Sequence, residues 1–216
     1  MPYSEFTIKQ VKEAFDLSII EERVLFQDVE AVLVDESVKK KLDEYVPLAL
    51  AVNTEKARSE FIIAYLLLEL RSYLDNQVSL FSGIDFDVDK EKKLNGFCDF
   101  IISLSTEQFF LTSPVIAVVE AKNENIIGGI GQCLAEMVAA RIFNEREGNS
   151  VEHIYGVVTT GSVWKFLKLT GDEAVIDRKE YHIEQVGKIM GILTAMVSGV
   201  ELMLGDMATL KLLLSL

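Results

Sequence analysis

The sequence predicts an α/β domain in which a central mixed β-sheet is flanked by helices. Val115 to Val119 are all β-branched or small and apolar, which is typical of a strand that is covered on both faces. The predicted order along the chain is helix, strand, strand, strand, helix, strand, strand, helix. The 216 residues, of which 50% are hydrophobic, are enough for one sizeable domain with a full core.

The first third of the chain predicts three helices and one weak strand. Thr7 is a candidate cap for the first helix, and Asn53 or Thr54 for the third. Pro47 is expected to follow the end of the second helix, because a proline disfavours the helical conformation of the residue before it. The predicted segments are a helix over residues 6–15, a strand over 28–34, a helix over 36–45 and a strong helix from about 54 to 74.

The remaining elements alternate between strands and two long helices. Glycines near the start of the first of these helices would allow a close approach of its backbone to the sheet or to a phosphate. The predicted segments are strands over 79–89, 97–103 and 115–119, a helix from about 126 to 145, strands over 154–159 and 163–169, and a helix from about 183 to 204.

We expect one globular domain in three parts: an extension over residues 1–53, a core over 54–181, and a C-terminal helix with an apolar tail over 182–216. The tail, residues 207–216, is expected to cover its own core or to contribute to a homodimer. The most apolar window, Ile189 to Val200, is shorter than the ~20 residues of a membrane span. Cys98 and Cys133 lack metal-ligand spacing, which favours reduced, buried thiols in a cytoplasmic protein without membrane contact.

Acidic residues interrupt three otherwise apolar patterns. Glu60 shares a helical face with apolar residues, so it lies either at the rim of that face or in a functional position. Asp99 lies between apolar neighbours in a strand, where aspartate is unfavourable. Glu120 and Lys122 are two residues apart and so share one face at the end of the apolar strand. They are either a solvated ion pair or part of a site.

Together these residues resemble the motif of the PD-(D/E)XK nuclease superfamily. The motif consists here of Glu60 on a helix, Asp99 on a strand and Glu120-Ala121-Lys122 on the next strand, and Gln132 on the following helix matches a further position found in several branches. The resemblance spans roughly residues 54–169 and implies a restriction-endonuclease-like core. It departs at Cys98, where the family carries a proline.

The resemblance implies a metal-dependent nuclease that hydrolyses phosphodiester bonds of nucleic acid, with DNA the favoured substrate. Asp99, Glu120 and Glu60 would be the metal ligands, and Mg²⁺ or Mn²⁺ the cofactor, because such cations prefer hard oxygen ligands. Lys122 would orient or deprotonate the attacking water and offset charge in the transition state. Gln132 would position Lys122 or a backbone phosphate.

Two other readings of the same residues stay open. The chain could be a non-catalytic interaction subunit that keeps the nuclease fold and works with a partner, or a scaffold in which Glu120 and Lys122 form a simple ion pair. A dinucleotide-binding loop at Gly129 and Gly131 is disfavoured, because Leu134 occupies the third glycine position. The net charge of -13 gives no long-range attraction for nucleic acid, so binding requires a local concentration of basic residues. The candidates are Lys90, Lys92, Lys93, Lys165 and Lys168.

Overall fold

The computed structural model describes residues 3–149 and 151–199, in which an eight-stranded mixed sheet carries helices on both faces. The helices are α1 (Ile8–Phe15), α2 (Glu36–Val52), α3 (Glu55–Arg58), α4 (Ala64–Tyr73), α5 (Ile126–Arg146) and α6 (residues 186–199). The strands are β1 (Ser18–Ile20), β2 (Ser79–Asp85), β3 (Phe97–Ser103), β4 (Val115–Ala121), β5 (His153–Thr159), β6 (Val163–Thr170), β7 (Glu173–Ile176) and β8 (Tyr181–His182).

The sheet combines antiparallel pairs with two parallel pairs, β4 with β5 and β1 with β7. Its strand order is β1-β7-β6-β5-β4-β3-β2, and β8 pairs with β6 outside this path. Strands β2, β3 and β4 pair antiparallel in sequence, whereas β5 lies parallel to β4 and is reached through helix α5. The predicted α/β fold with a mixed sheet and flanking helices is therefore confirmed.

Strand β4 is buried along its whole length, as its apolar run predicts. Val118 faces a cluster formed with helix α5, and Val119 faces a second cluster formed with α2, α4 and α6. Cys98 and Cys133 are both free thiols buried in the α5 cluster. Because β4 lies between two apolar layers, the residues at its carboxyl end are held in fixed positions.

The glycines of α5 serve close packing. A Cβ atom on Gly131 would lie 2.3 Å from the Phe6 carbonyl oxygen, and one on Gly129 would lie 2.8 Å from Val158 Cγ1. Among the described helices, α5 alone is long and apolar enough to span a membrane, but 61% of its most apolar window is buried inside the protein. Its burial against the sheet is that of a core helix.

Three predicted elements differ from the structure. The strand predicted over residues 79–89 ends at Asp85. Residues 28–34 form no strand, because this segment lies along α6, where the Val32 N–H donates to the Gly187 carbonyl at 3.0 Å. Helix α2 continues through Pro47 instead of ending before it. Leu42 and Ala49, on either side of the proline, are both buried in the core, and this packing offsets the hydrogen bond that the proline removes.

Three short strands were not predicted, and part of the C-terminus lies outside the described residues. Strands β1, β7 and β8 have two to four residues each, too few to show a periodic pattern. Helix α6 is described as far as residue 199, so the predicted end near 204 lies beyond it. The apolar tail over 207–216, and with it the homodimer prediction, also falls outside the described part of the chain.

Asn144, on the last turn of α5, fixes the start of strand β4. Its Oδ1 accepts from the Val115 N–H and its Nδ2 donates to the Val115 carbonyl, both at 2.7 Å, and the side chain is buried. One amide side chain therefore satisfies both backbone groups of a buried strand residue, so the helix and the strand are held in register.

We expect Asn144→Ala to lower the free energy of unfolding by about 2–4 kcal/mol, because two buried backbone groups lose their partners. Urea unfolding followed by circular dichroism measures this change. Asn149→Ala is the matched control, since the exposed Asn149 side chain bonds only to the Ser113 hydroxyl among described residues. Its loss should lower the free energy of unfolding by less than ~0.5 kcal/mol. Equal losses of unfolding free energy in the two variants would contradict this role of Asn144.

Candidate active site

The candidate site lies where strands β3 and β4 separate. The last paired residues of these antiparallel strands are Phe100 and Val119. One residue further along, the same register places Asp99 opposite Glu120. Beyond this pair the Ala121 N–H donates to Asp99 Oδ2 at 2.7 Å, so a side chain replaces the neighbouring strand as the hydrogen-bond acceptor. The separation of the strands thus opens room for carboxylates inside the sheet.

Glu120 is 1% exposed, and both of its carboxylate oxygens accept hydrogen bonds. Lys122 Nζ donates to Oε1 in a short ion pair, and Gln132 Nε2 donates to Oε2 at 2.8 Å. Lys122 Nζ also lies 3.4 Å from Gln132 Oε1. Glu120, Lys122 and Gln132 therefore form a closed ring of hydrogen bonds between the end of β4 and helix α5.

Glu136 extends this ring into the core. Gln132 Nε2 also donates to Glu136 Oε1 at 3.0 Å, while Glu136 Oε2 is buried without a hydrogen-bond partner among the described residues. The side chain is fully buried. Sequence reasoning did not assign Glu136 to the site, although its i, i+4 spacing from Gln132 on the same helical face is the signal that could have indicated it.

Burial raises the pKa of each of the three carboxyls. It raises the pKa of Glu120 to about 8, with a further increase from Asp99 and an opposing effect from Lys122. Burial also raises the pKa of Asp99, against the hydrogen bond from Ala121, and raises that of Glu136, to which the charge of Glu120 adds. The three carboxyls therefore keep their protons to a higher pH than carboxyls in water do.

The pKa of Lys122 is also raised. Burial lowers it, but the carboxylates of Glu120, Glu55 and Asp99 together outweigh that effect. Lys122 is accordingly a cation at neutral pH, and its backbone is anchored by an N–H bond of 2.8 Å to the Thr159 carbonyl on β5. The lysine is thus fixed at the point where β4 ends, with its charge directed at Glu120.

The structure brings Asp99, Glu120, Lys122 and Gln132 together, but it places Glu60 on the surface. Glu60 is 54% exposed at its side chain and pairs with Lys56 at 2.9 Å. The predicted face assumed α-helical spacing, whereas Ser59–Ile63 is a π-helical turn in which the Ala64 N–H bonds to the Ser59 carbonyl. The extra residue in that turn rotates Glu60 away from the apolar face.

Glu55, on α3, is the helix acid whose charge reaches the site. Burial is the largest cause of the raised pKa values of Asp99 and Glu120, and the carboxylate of Glu55 adds a smaller increase to both. Glu55 was not predicted as a site residue, because its position in the first turn of a helix is equally typical of an acid that complements the helix dipole.

The basic residues proposed from sequence as a nucleic-acid surface are mostly paired with acids. Lys90 lies 2.9 Å from Asp87, Lys93 lies 3.3 Å from Glu5, and Lys165 lies 3.8 Å from Glu180. These ion pairs are exposed at one or both partners, so they are weak, but they lower the net positive charge of the surface.

The donor set fits a small, hard divalent cation. Asp99 and Glu120 supply adjacent carboxylates, and Glu136 has an unpaired buried oxygen behind them. Within residues 3–149 and 151–199, no three His, Cys, Asp or Glu side chains are grouped closely enough to hold a metal ion. A cation at Asp99 and Glu120 would therefore complete its shell with the Ala121 carbonyl and water, and Mg²⁺ commonly retains several waters.

The sequence matches no protein-family model, and a comparison with curated proteins finds no significant match. The inference of function therefore depends on the geometry of the site and on the motif resemblance.

The raised pKa values predict a pH dependence of stability. A carboxyl with a raised folded-state pKa holds its proton between the unfolded value, ~4.3, and the folded value, so it lowers the free energy of unfolding as pH rises through that interval. Glu136→Gln mimics the protonated acid and should remove this contribution. We expect the variant to gain stability relative to wild type from pH 5 to pH 8, by up to ~1.4 kcal/mol per pH unit.

Urea unfolding at pH 5, 6, 7 and 8 measures the difference between the two proteins. His153, whose pKa burial lowers, contributes with the opposite sign in both proteins, so it cancels in the difference. A difference that stays constant with pH would show that Glu136 carries no raised pKa.

Proposed function

We propose that this protein is a divalent-cation-dependent nuclease with a restriction-endonuclease-like core. The observation that carries the proposal is the meeting of Asp99 and Glu120 where two strands separate, with Lys122 and Gln132 bonded to Glu120. A surface ion pair has no need of a second buried carboxylate beside it, and burying both is costly. This arrangement favours a site over a structural role.

The order of the elements supports the same proposal. Helices α3 and α4 precede the aspartate-bearing strand β3, the Glu-x-Lys strand β4 follows, and the helix α5 that carries Gln132 leads to the parallel strand β5. This is the order of elements on which the motif resemblance is based. The departure at Cys98 is tolerated, because its side chain is buried in the α5 cluster and not at the site opening.

Asp99, Glu120 and the Ala121 carbonyl would hold Mg²⁺ or Mn²⁺. When bound, such a cation lowers the pKa of a coordinated water and polarises a phosphoryl oxygen. The carboxylates of this chain fix the position of the site relative to the sheet, and Gln132 orients Glu120 from the opposite side.

Lys122 serves chiefly as a fixed positive charge. Its raised pKa favours stabilising the charge on a phosphate in the transition state, and orienting a water, over deprotonating that water. Gln132 Oε1 accepts from Lys122 Nζ and so helps to hold the lysine beside Glu120. The substrate class is nucleic acid, because the phosphodiester bond is the chemistry to which this residue set is suited. DNA is favoured on the motif resemblance alone.

The direct test is incubation of the purified protein with single- and double-stranded DNA and RNA, with Mg²⁺ or Mn²⁺ and in parallel with a chelator. Cleavage that requires the cation supports the proposal. Binding of a partner protein without cleavage of any substrate would favour the alternative, a non-catalytic interaction subunit that keeps the fold.

Millimolar Mg²⁺ or Mn²⁺ should raise the melting temperature of the wild-type protein, because the cation relieves repulsion between Asp99 and Glu120 and binds only the folded state. Asp99→Asn should lose most of this shift. Asp85→Asn on the adjacent strand β2 is the matched control, since Asp85 is exposed, and it should retain the shift. Equal shifts in all three proteins would indicate diffuse binding to an acidic surface, contrary to a defined site.

Lys122→Ala should lower the cleavage rate by ~10²–10⁴-fold while substrate binding changes little, because the lysine acts mainly in the transition state. Glu120→Ala should lose both cation binding and cleavage. The control is Lys92→Ala in the exposed Glu91-Lys92-Lys93 turn, which should affect only salt-dependent binding. Single-turnover cleavage and fluorescence anisotropy measure the two effects separately. Full activity in both Lys122→Ala and Glu120→Ala would place the activity outside this site.

A further inference from the structure

A cavity of about 430 Å³ lies at the start of helix α5. Its wall includes Arg58 from the end of α3, Asn123 and Asn125 from the loop after β4, and Thr160 and Ser162 from the turn between β5 and β6. Two of these segments continue directly from the candidate active site, because Asn123 follows Lys122 and Thr160 follows Thr159, whose carbonyl accepts the Lys122 N–H. The third, α3, also carries Glu55.

Arg58 is the only lysine or arginine in the described part of the chain that is buried, with 7% of the residue exposed. Its guanidinium makes four hydrogen bonds, and every acceptor is a neutral oxygen. The acceptors are Asn123 Oδ1 at 3.1 Å, the Thr160 carbonyl at 3.2 Å, Ser162 Oγ at 3.4 Å and Asn53 Oδ1 at 3.2 Å.

The charge of Arg58 is therefore held in place but not neutralised. In residues 3–149 and 151–199, no carboxylate oxygen lies within 4.0 Å of its guanidinium nitrogens, although the chain is strongly acidic. Arginine stays protonated in proteins, and a buried charge without a counterion is costly. The four neutral bonds reduce that cost, but an anion in the cavity would remove more of it.

The other groups on the cavity wall are suited to the same kind of ligand. Thr160 Oγ1 and Ser162 Oγ are hydrogen-bonded to each other at 3.1 Å. When Thr160 is the donor, the Ser162 hydroxyl proton is left for a ligand oxygen. Helix α5, which has 21 residues, begins at the wall, and a helix N-terminus carries partial positive charge. Four of the five N–H groups of the Arg58 guanidinium are bonded to the protein, which leaves one for a ligand. This N–H, one hydroxyl and a helix N-terminus suit an anion with several oxygens, such as a phosphate group.

Two acids on the wall, Glu124 and Glu180, oppose anion binding, but both lie in the exposed part of the lining. Glu180 is 47% exposed at its side chain and pairs with Lys165. Solvent and this lysine screen their charge, whereas the charge of Arg58 acts from a buried position. Arg58 is therefore the buried charge on the cavity wall, whereas the two acids are exposed to solvent.

We propose that the Arg58 cavity is a phosphate-binding subsite next to the carboxylates. The phosphate would belong to a nucleic acid, either at a strand end or within the backbone. This part of the proposal depends on the proposed nuclease function. The subsite would hold one phosphate while the bond at a neighbouring phosphate faces Asp99 and Glu120. Arg58 is then a positioning residue for the substrate.

The first measurement is an NMR titration of the ¹⁵N-labelled wild-type protein with inorganic phosphate, compared with sodium chloride at equal ionic strength. The Arg58 Nε–H bond to Asn123 makes this resonance observable, and we expect it to shift saturably with phosphate alone. Ser162→Ala should weaken phosphate binding by about tenfold, as expected for one hydrogen bond to a charged group. Arg58→Gln should abolish it. Arg71→Gln is the control, since Arg71 also bonds to neutral oxygens but lies elsewhere.

The second measurement identifies the source of the phosphate. Anisotropy with short oligonucleotides that carry either a 5′-phosphate or a 5′-hydroxyl compares the two ends, without any need for cleavage. Tighter binding of the phosphorylated strand that disappears in Arg58→Gln supports a terminal phosphate, and equal weakening of both strands supports a backbone phosphate.

The subsite would be overturned if the Arg58 resonance did not shift at saturating phosphate and Ser162→Ala left the oligonucleotide affinity unchanged. Arg58 would then have a structural role only. This result is independent of the nuclease proposal, because cation-dependent cleavage can be present or absent in the same protein. Should Arg58→Gln fail to fold, the Ser162→Ala variant and the wild-type titration still decide the question.

Discussion

The buried carboxylate of Glu120 is the constraint on which the site depends. A charged group taken out of water at the end of a fully buried strand is costly unless each oxygen is bonded. Lys122 bonds one oxygen and Gln132 the other, and the same glutamine reaches Glu136. The amide therefore holds two carboxyls near each other. Burial raises the pKa of both Glu120 and Glu136, and the charge of Glu120 raises that of Glu136 further.

The fold supplies the rigidity that this arrangement requires. Asn144 binds the first residue of β4 from the end of α5, and Gln132 binds Glu120 from near the start of the same helix. One helix thus fixes both ends of the strand that carries the site. Close contacts at Gly129 and Gly131 press that helix against β5 and the N-terminal segment, where larger residues would not fit. On the neighbouring side of the opening, Arg58 connects three loops through neutral oxygens.

Much of this could be predicted from the sequence, because each prediction depended on a local pattern. The apolar run before Glu120 indicated a strand buried on both faces, and Asp99 and Gln132 stood out by their neighbours. Glu60 was misplaced because a π-helical turn cannot be read from residue spacing. Arg58 and Glu55 were missed because a charged residue near a helix start looks solvated in sequence. Only tertiary contacts from loops about 65 and 102 residues away bury the arginine.

The most direct test of the central claim is the anomalous diffraction of crystals of the protein soaked in Mn²⁺. The proposal predicts an anomalous peak between the carboxylates of Asp99 and Glu120, with Lys122 Nζ displaced from Glu120 Oε1, and predicts its loss in Asp99→Asn crystals. The proposal would be contradicted if, at saturating Mn²⁺, the ion pair of Glu120 and Lys122 stayed intact and no anomalous peak lay at these carboxylates. There would then be no metal site here, and the nuclease proposal would fail.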